Sequence, residues 1–287
     1  MLNALTVDVE DYYHVSAFEP YLDYKNWEYL PSRVESNIMR ILEILEDRKV
    51  KATFFVLGWV ADRNPSLIRK IYGEGHEIAS HGYSHKLTYE MTPDEFRDDV
   101  RKSKKAIEDS IGAGINGFRA ASFSLVENSL WALDVLIEEG FLYDSSIFPI
   151  HHNRYGIFYW QRFPHVIKRI SGFIHELPPS TFRMFKINLP IAGGAYLRFL
   201  PPGIISHGIR RINNIELQPA VVYIHPWEID HRQPRFKVRR LTEVRHYAGL
   251  SGVEDKIKNI LSEFKFGKIS QVITESLARQ PVSYFSC

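Results

Sequence analysis

Leu2-Asn3-Ala4-Leu5-Thr6-Val7-Asp8-Val9-Glu10-Asp11 is an apolar run that ends in three carboxylates. Residues 2–9 have the composition of a short buried strand. The acids that close it therefore belong at the rim of a sheet. In an extended chain Asp8 and Glu10 point to one side and Asp11 to the other, unless the strand has already ended. A solvated acidic strand end is the plain account of such a cluster. Two carboxylates on one side of a rim repel each other, however, and a bound cation removes that repulsion.

Working outward, the first half of the chain alternates strand-like and helix-like patterns. Ser32 is placed to cap a helix over 32–47, with Val34, Ile38, Ile41, Leu42 and Leu45 on one face and Glu35 completing a capping box. The run 52–57 is a strand, and Pro65 opens a helix ended by Gly73 and Gly75. The strand 77–80 follows. Thr92-Pro93-Asp94-Glu95 starts a helix that runs to about Ile111. A brief strand at 117–119, a helix over 127–139 and a strand at 141–144 complete this half. The rhythm predicts an α/β fold of parallel strands with crossover helices, a barrel or an open sheet. Residues 147–214 are aromatic and rich in Pro and Gly. They read as a substrate-facing rim, with loop or irregular strand at 175–177 and 192–196 and a helix opened by Pro201-Pro202 and running to about Ile212. A strand at 220–224, a helix at 253–264 and a short strand at 267–269 then complete a single domain spanning 1–287.

The 287 residues are 45% hydrophobic and 24% charged, with a formal net charge of +2. Charges of both signs are interspersed, which argues against a nucleic-acid surface. Cys287 is the only cysteine, so a disulfide within the chain and a thiolate zinc cage are excluded. No run approaches the ~18 apolar residues of a membrane span, and the first residues lack the basic start and apolar run of a signal peptide. A soluble, cytoplasmic protein without membrane insertion is the expectation. The oligomeric state is open, because no heptad or isolated apolar face calls for a partner.

Other strand ends also carry chemistry. His81-Gly82-Tyr83-Ser84-His85 spaces two imidazoles so that they can share one ion, on a helix face or in a tight loop. Two unrelated surface histidines, or a role for His14 or His76 instead, are the competing readings. His225 follows the apolar run 221–224, where it suits a general acid or a histidine packed beside Trp227. Arg119 ends the strand at 117–119 and can pair with a carboxylate. Asp144 ends another and can polarise a histidine, or merely start the turn at Ser145. Each residue alone is weak evidence; a polar group at every strand end is stronger.

These residues resemble the five motifs of the polysaccharide deacetylases of the NodB-homology type, carbohydrate esterase family four. Thr6-Val7-Asp8-Val9-Glu10-Asp11 is similar to the acidic first motif and His81-Gly82-Tyr83-Ser84-His85 to the second. Phe118-Arg119-Ala120-Ala121-Ser122-Phe123-Ser124 resembles the third, with Ala121 in place of a proline. Tyr143-Asp144-Ser145-Ser146 and Ile224-His225-Pro226-Trp227-Glu228 resemble the fourth and fifth. The wording around Asp8, Gly193-Gly194 and His225 looks like a narrower subgroup, the exosortase-associated deacetylases of bacterial exopolysaccharide loci. The resemblance implies a distorted (β/α) barrel of about seven parallel strands. It also implies hydrolysis of N-acetyl groups on an amino-sugar polysaccharide, with one divalent metal ion as cofactor: zinc first, with cobalt, nickel or iron as alternatives.

Carried onto this chain, the resemblance makes Asp8 the general base and His225 the general acid. Arg119 would tune Asp8, and Asp144 would orient His225. His81, His85 and one acid of the first motif would hold the ion, Glu10 before Asp11. The glycan would meet Tyr12, Tyr13, Ser122, Phe123 and Trp227, with a backbone N–H of Tyr12 or Tyr13 facing the oxyanion. Rival readings are a peptidoglycan deacetylase, an allantoinase-like small-molecule amidohydrolase, a non-catalytic carbohydrate-binding protein on the same fold, and a metal phosphodiesterase.

Overall fold

The structure is a computed structural model that describes residues 1–191, 193–279 and 284–286. Ala192, read from sequence as loop or irregular strand, and Cys287 lie outside the described residues, as do the last residues of the expected 1–287 domain. The strands are β1 (Leu2–Val9), β2 (Thr53–Val56), β3 (Glu77–Ser80), β4 (Gly117–Phe118), β5 (Tyr143–Asp144), β6 (His165–Arg169), β7 (Gly172–Glu176), β8 (Thr181–Met184), β9 (Ile187–Pro190), β10 (Val221–Ile224), β11 (Lys265–Gly267) and β12 (Tyr284–Ser286). The α-helices are α1 (Val34–Asp47), α2 (Gly58–Arg63), α3 (Pro65–Gly73), α4 (Pro93–Ile111), α5 (Trp131–Glu138), α6 (Gly194–Phe199), α7 (Pro202–Asn214), α8 (Arg240–Tyr247), α9 (Val253–Glu263) and α10 (Ile269–Arg279).

Seven strands run parallel in the order β10-β1-β2-β3-β4-β5-β7. They form the expected mostly parallel α/β barrel. β6 continues the sheet antiparallel to β7, and β11 pairs with the first residues of β1. The seam between β7 and β10 accounts for the distortion. Leu177 is followed by Pro178-Pro179, which have no N–H to continue a ladder. Ser180 is the next residue able to donate, and its N–H bonds Val221 O at 3.1 Å while its hydroxyl accepts Val221 N at 2.7 Å. Gly193 then bridges Tyr223 so closely that a Cβ there would lie 1.8 Å from the Tyr223 carbonyl oxygen. Only glycine fits this position.

Strand alternation divides the residues between two environments. Leu5, Val7, Val9, Phe54, Val56, Ile78 and Phe118 face the helix layer, where they join Ile38, Leu45, Ile68, Ile71, Val100 and Ile107 in the main core. Ala4, Phe55, Ala79, Tyr143, Leu177 and Val221 form a second cluster on the opposite face. The register carries this parity round the sheet: Asp8 is level with Phe55, Phe55 with Ala79, and Gly117 with Tyr143. Asp8 therefore shares the barrel interior with Arg119 and Ser145. Asp144, level with Phe118, faces outward.

The structure corrects several expectations. Ser32 is not the cap of α1, which begins at Val34 with Arg33 in the cap position and no local side chain bonded there. The Ser32 hydroxyl is instead given to Asp11. Residues 147–214 are more than a rim, because they supply the β6–β7 hairpin, the β8–β9 hairpin and the barrel seam. The short strand expected at 267–269 is β11, Lys265–Gly267, and Ile269 already starts α10. The helix expected over 127–139 is a short 3-10 turn followed by α5. The helix start at Thr92-Pro93 is present as read, and Thr92 and Glu95 exchange hydrogen bonds in a capping box.

Candidate active site

The three acids of the first motif part company at the end of β1. The Glu10 N–H folds back onto Asp8 O at 2.9 Å. Asp11 turns away from the barrel. Its Oδ2 accepts Arg33 N at 2.7 Å, Val34 N at 3.1 Å and the Ser32 hydroxyl at 2.8 Å, while its Oδ1 accepts Tyr12 N at 3.0 Å. Asp11 is thus a long-range cap that satisfies N–H groups at the start of α1. Glu10 stays in the barrel mouth. Its Oε1 accepts the Trp227 indole N–H at 3.0 Å, and its Oε2 lies 2.8 Å from His85 Nε2.

His81 and His85 sit on a loop that leaves β3. Gly82 (φ +73°) and His85 (φ +54°) both take the left-handed conformation, which is costly for a histidine. Helix α4 holds that geometry: Asp99 accepts Tyr83 N at 2.7 Å, Ser84 N at 3.0 Å and the Ser84 hydroxyl at 2.5 Å. The Gly82 carbonyl accepts Gly58 N at 2.8 Å and the hydroxyl of Ser103, also on α4, at 2.9 Å. The sequence gives no sign of Asp99, which lies on another element and belongs to no motif. His81 Nδ1 lies 2.8 Å from Arg119 O. A carbonyl there selects the Nδ1–H tautomer and leaves Nε2 as a lone pair.

One ligand atom each from Glu10, His81 and His85 lie within 4.8 Å of one another, all buried. Burial lowers the His81 pKa to about 4, so its imidazole is neutral at neutral pH. Burial pushes the Glu10 carboxyl up, but the adjacent histidines, His85 first, hold it well below its ordinary value. Glu10 Oε2 is buried and accepts no directed hydrogen bond. A carboxylate oxygen and two converging imidazole nitrogens are a donor set that fits a divalent ion such as zinc. Asp99→Ala is expected to weaken divalent-ion binding by roughly 10–100-fold, the usual effect of losing the support behind a ligand. Isothermal titration of the metal-stripped protein measures it.

Asp8 lies beside this group. Its Oδ1 accepts Arg119 Nη1 at 2.7 Å. Arg119 is fully buried over the Phe55 ring (4.1 Å), and three further donors go to the Thr6 hydroxyl at 2.7 Å, Ser145 O at 3.1 Å and the Ser145 hydroxyl at 2.8 Å. Neither side chain of the pair is free to swing.

His225 faces both acids, its Nε2 3.8 Å from Asp8 Oδ2 and 3.8 Å from Glu10 Oε1. The expected partnership with Asp144 is not formed. Asp144 lies on the outward face, where it accepts the Ser146 hydroxyl at 2.5 Å and stands beside the buried Glu176. Glu228 takes the position instead, with Oε2 3.0 Å from His225 Nδ1 and Oε1 accepting Arg198 Nε at 3.0 Å. Burial alone would lower the His225 pKa. Glu228, then Glu10 and Asp8, outweigh it and raise the pKa to about 9. Glu228 was legible only as part of the fifth motif; its spacing of three from His225 in a tight turn was the unused signal.

Trp227 packs its ring on His225 (5.1 Å between centroids, 22° between planes) and joins it to Glu10. Phe123 forms an aromatic wall with Tyr223 (4.8 Å) and Phe148 (5.4 Å). Ser122 is held by the Ser16 hydroxyl at 2.7 Å. The rings of Tyr12 and Tyr13 are corrected to core residues: both are buried, Tyr12 stacked on Phe236 and Tyr13 edge-on to Trp59. His14 Nδ1 accepts Asp11 N, and His76 Nδ1 accepts Ala52 N at the far end of the barrel. Neither belongs to the metal-ligand group.

Two families match the chain. Residues 24–135 match the polysaccharide deacetylases. Within those residues the chain has the sequence pattern of a polysaccharide deacetylase domain. Residues 145–274 match a domain of unknown function, DUF3473. The site draws on both stretches: the deacetylase match contains His81, His85 and Arg119, the second match contains His225 and Glu228, and Asp8 and Glu10 precede both. A peptidoglycan-N-acetylglucosamine deacetylase of Bacillus cereus is 34% identical over 33% of the chain and 35% of that protein. A chitooligosaccharide deacetylase of Bradyrhizobium is 32% identical over 33% of the chain and 42% of that protein. A peptidoglycan deacetylase of Helicobacter pylori is 32% identical over 44% of the chain and 41% of that protein. The chain thus spans under half the length of these curated relatives. Among solved structures, a Mycobacterium smegmatis protein assigned to the polysaccharide deacetylases shares the fold, with TM-score 0.63 and 22% identity over 98% of this chain and 92% of that one. Among the described residues no helix is long and apolar enough to cross a membrane.

Proposed function

We propose that this deacetylase domain hydrolyses the N-acetyl groups of an amino-sugar glycan, and that residues 1–287 act as one catalytic unit. The observation that carries the reading is Asp8, locked on Arg119, facing His225, locked on Glu228, across the Glu10–His81–His85 group. A binding protein needs no such opposed acid and base. When bound, a divalent ion supplies Lewis-acid polarisation of the acetyl carbonyl and activation of water. Glu10, His81 and His85 would hold it, and zinc fits them best, with cobalt, nickel and iron as alternatives.

Asp8 takes a proton from the attacking water as the new C–O bond forms at the amide carbon. Arg119 fixes Asp8 in direction. The Tyr12 N–H is committed to Asp11, which leaves the Tyr13 N–H as the backbone donor for the oxyanion. As the C–N bond breaks, His225 gives its proton to the leaving amine, and acetate and a free amino sugar depart. Of the expected glycan contacts Ser122 offers a hydroxyl, whereas the Phe123 and Trp227 rings are buried, Trp227 stacked between His225 and His246, and act by shaping the mouth. The names of the relatives support glycans of N-acetylglucosamine, peptidoglycan included. The exopolysaccharide reading rests on the resemblance of motif wording.

Asp8→Asn tests the assignment. It should bind as much zinc as the wild type and lose about 10²–10⁴-fold in acetate release, the range of a general base. Full activity in Asp8→Asn would remove Asp8 from the role.

A further inference from the structure

From Leu177 to Ile215 the chain has no Asp or Glu, while it carries Arg183, Lys186, Arg198, Arg210 and Arg211. Arg198 pairs with Glu228 and Arg210 with Glu263. Arg183, Lys186 and Arg211 are exposed and have no carboxylate partner among the described residues.

These three cations belong to the β8–β9 hairpin and the helix packed on it. The register sets Phe182 opposite Leu189 and Met184 opposite Ile187, so the four side chains share one face. Helix α7 covers Phe182. Phe182 lies 5.7 Å from the His207 ring and 5.6 Å from the Arg211 guanidinium, and a Cβ on Gly208 would stand 3.5 Å from the Phe182 Cβ. The outer pair outruns the helix. Met184 is 44% exposed, Ile187 58%, and Phe185, at the turn with φ +55°, 92%. The apolar face that anchors the hairpin therefore continues past its cover into water, where it forfeits the gain of burial.

We propose that this hairpin seats the protein on an anionic lipid surface. Met184, Phe185 and Ile187 enter the boundary of the acyl chains, and Arg183, Lys186 and Arg211 meet the headgroup phosphates. Protruding apolar side chains among unpaired cations, in a stretch without acids, have the chemistry of an interfacial anchor. The shape favours lipid over protein. A convex tip of three side chains is far smaller than the ~800 Å² per partner of a standard protein interface, whereas a bilayer admits a wedge without a matching pocket. None of these residues belongs to the active site, so the proposal stands apart from the deacetylase reading.

Co-sedimentation of the full chain with vesicles tests it, using phosphatidylcholine alone and phosphatidylcholine mixed with phosphatidylglycerol. The wild type should pellet with the anionic vesicles, much less with the neutral ones, and less as salt rises. The triple variant Met184→Ser, Phe185→Ser, Ile187→Ser and the double variant Arg183→Glu, Lys186→Glu should each bind at least about tenfold more weakly. Both should keep the wild-type circular dichroism spectrum and acetate release. Absence of pelleting, equal pelleting with both vesicle types, or unchanged binding in the triple variant would overturn the proposal. So would a dimer, seen by light scattering, that the triple variant dissolves without any vesicle binding, because the patch would then serve a second copy of the chain.

Discussion

Glu10→Gln is expected to lower divalent-ion affinity by more than the ~10–100-fold that loss of a supporting contact costs, because it removes a ligand itself. Asp11→Ala, one residue away, should leave that affinity within a few-fold of wild type. The two carboxylates have different work: Glu10 faces His81 and His85, whereas Asp11 accepts three N–H groups and a hydroxyl around the start of α1. Removing the Asp11 carboxylate strips that helix of its cap and leaves buried donors unpaired. The expected cost is about 2–3 kcal/mol of stability, read by urea denaturation. Metal titration and denaturation of the two variants should therefore give opposite patterns. The reverse pattern would move the third ligand to Asp11.

The second large effect is expected at Glu228. Glu228→Gln removes the carboxylate that lies 3.0 Å from His225 Nδ1 and leaves Arg198 without its partner. Deacetylation should fall about 10²–10⁴-fold with the ion still bound, since the general acid loses both its orientation and its charge support. The pH profile carries the sign. His225, raised to about 9, holds its proton at neutral pH, and that proton is the one the amine needs. Without Glu228 the proton leaves at lower pH, so the alkaline limb of kcat moves down. Asp144→Asn should leave that limb in place, because Asp144 stands on the other face of the sheet. A shifted limb in Asp144→Asn with an unshifted one in Glu228→Gln would reverse the assignment.

Legibility in the sequence followed the range of the interactions. Strand ends were readable because an apolar run followed by a polar residue is a local pattern, and Asp8, His81, Arg119 and His225 do emerge at strand ends around one barrel mouth. The N-terminal proline of α4 and its Thr92 cap are equally local. The face of Asp144 was not readable. A two-residue strand defines no alternation of its own, so its parity comes only from pairing with β4. Asp11 took the part expected of Ser32 because the cap of α1 comes from the end of β1. Asp99 holds the His81–His85 loop from a helix. The β6–β7 and β8–β9 hairpins were obscured because their half-exposed edges mix aromatic, basic and apolar residues without a clean period of two.

The central claim is that the Asp8–His225 pair and the Glu10–His81–His85 group form one hydrolytic centre. Acetate release from N-acetylglucosamine oligomers and from peptidoglycan tests it most directly, with the protein stripped of metal and then reloaded with zinc or cobalt. The account predicts no acetate from the stripped protein and restored release on reloading, with one ion bound per chain. Acetate release that is undiminished after stripping, or an ion that stays bound in His81→Ala, would contradict it.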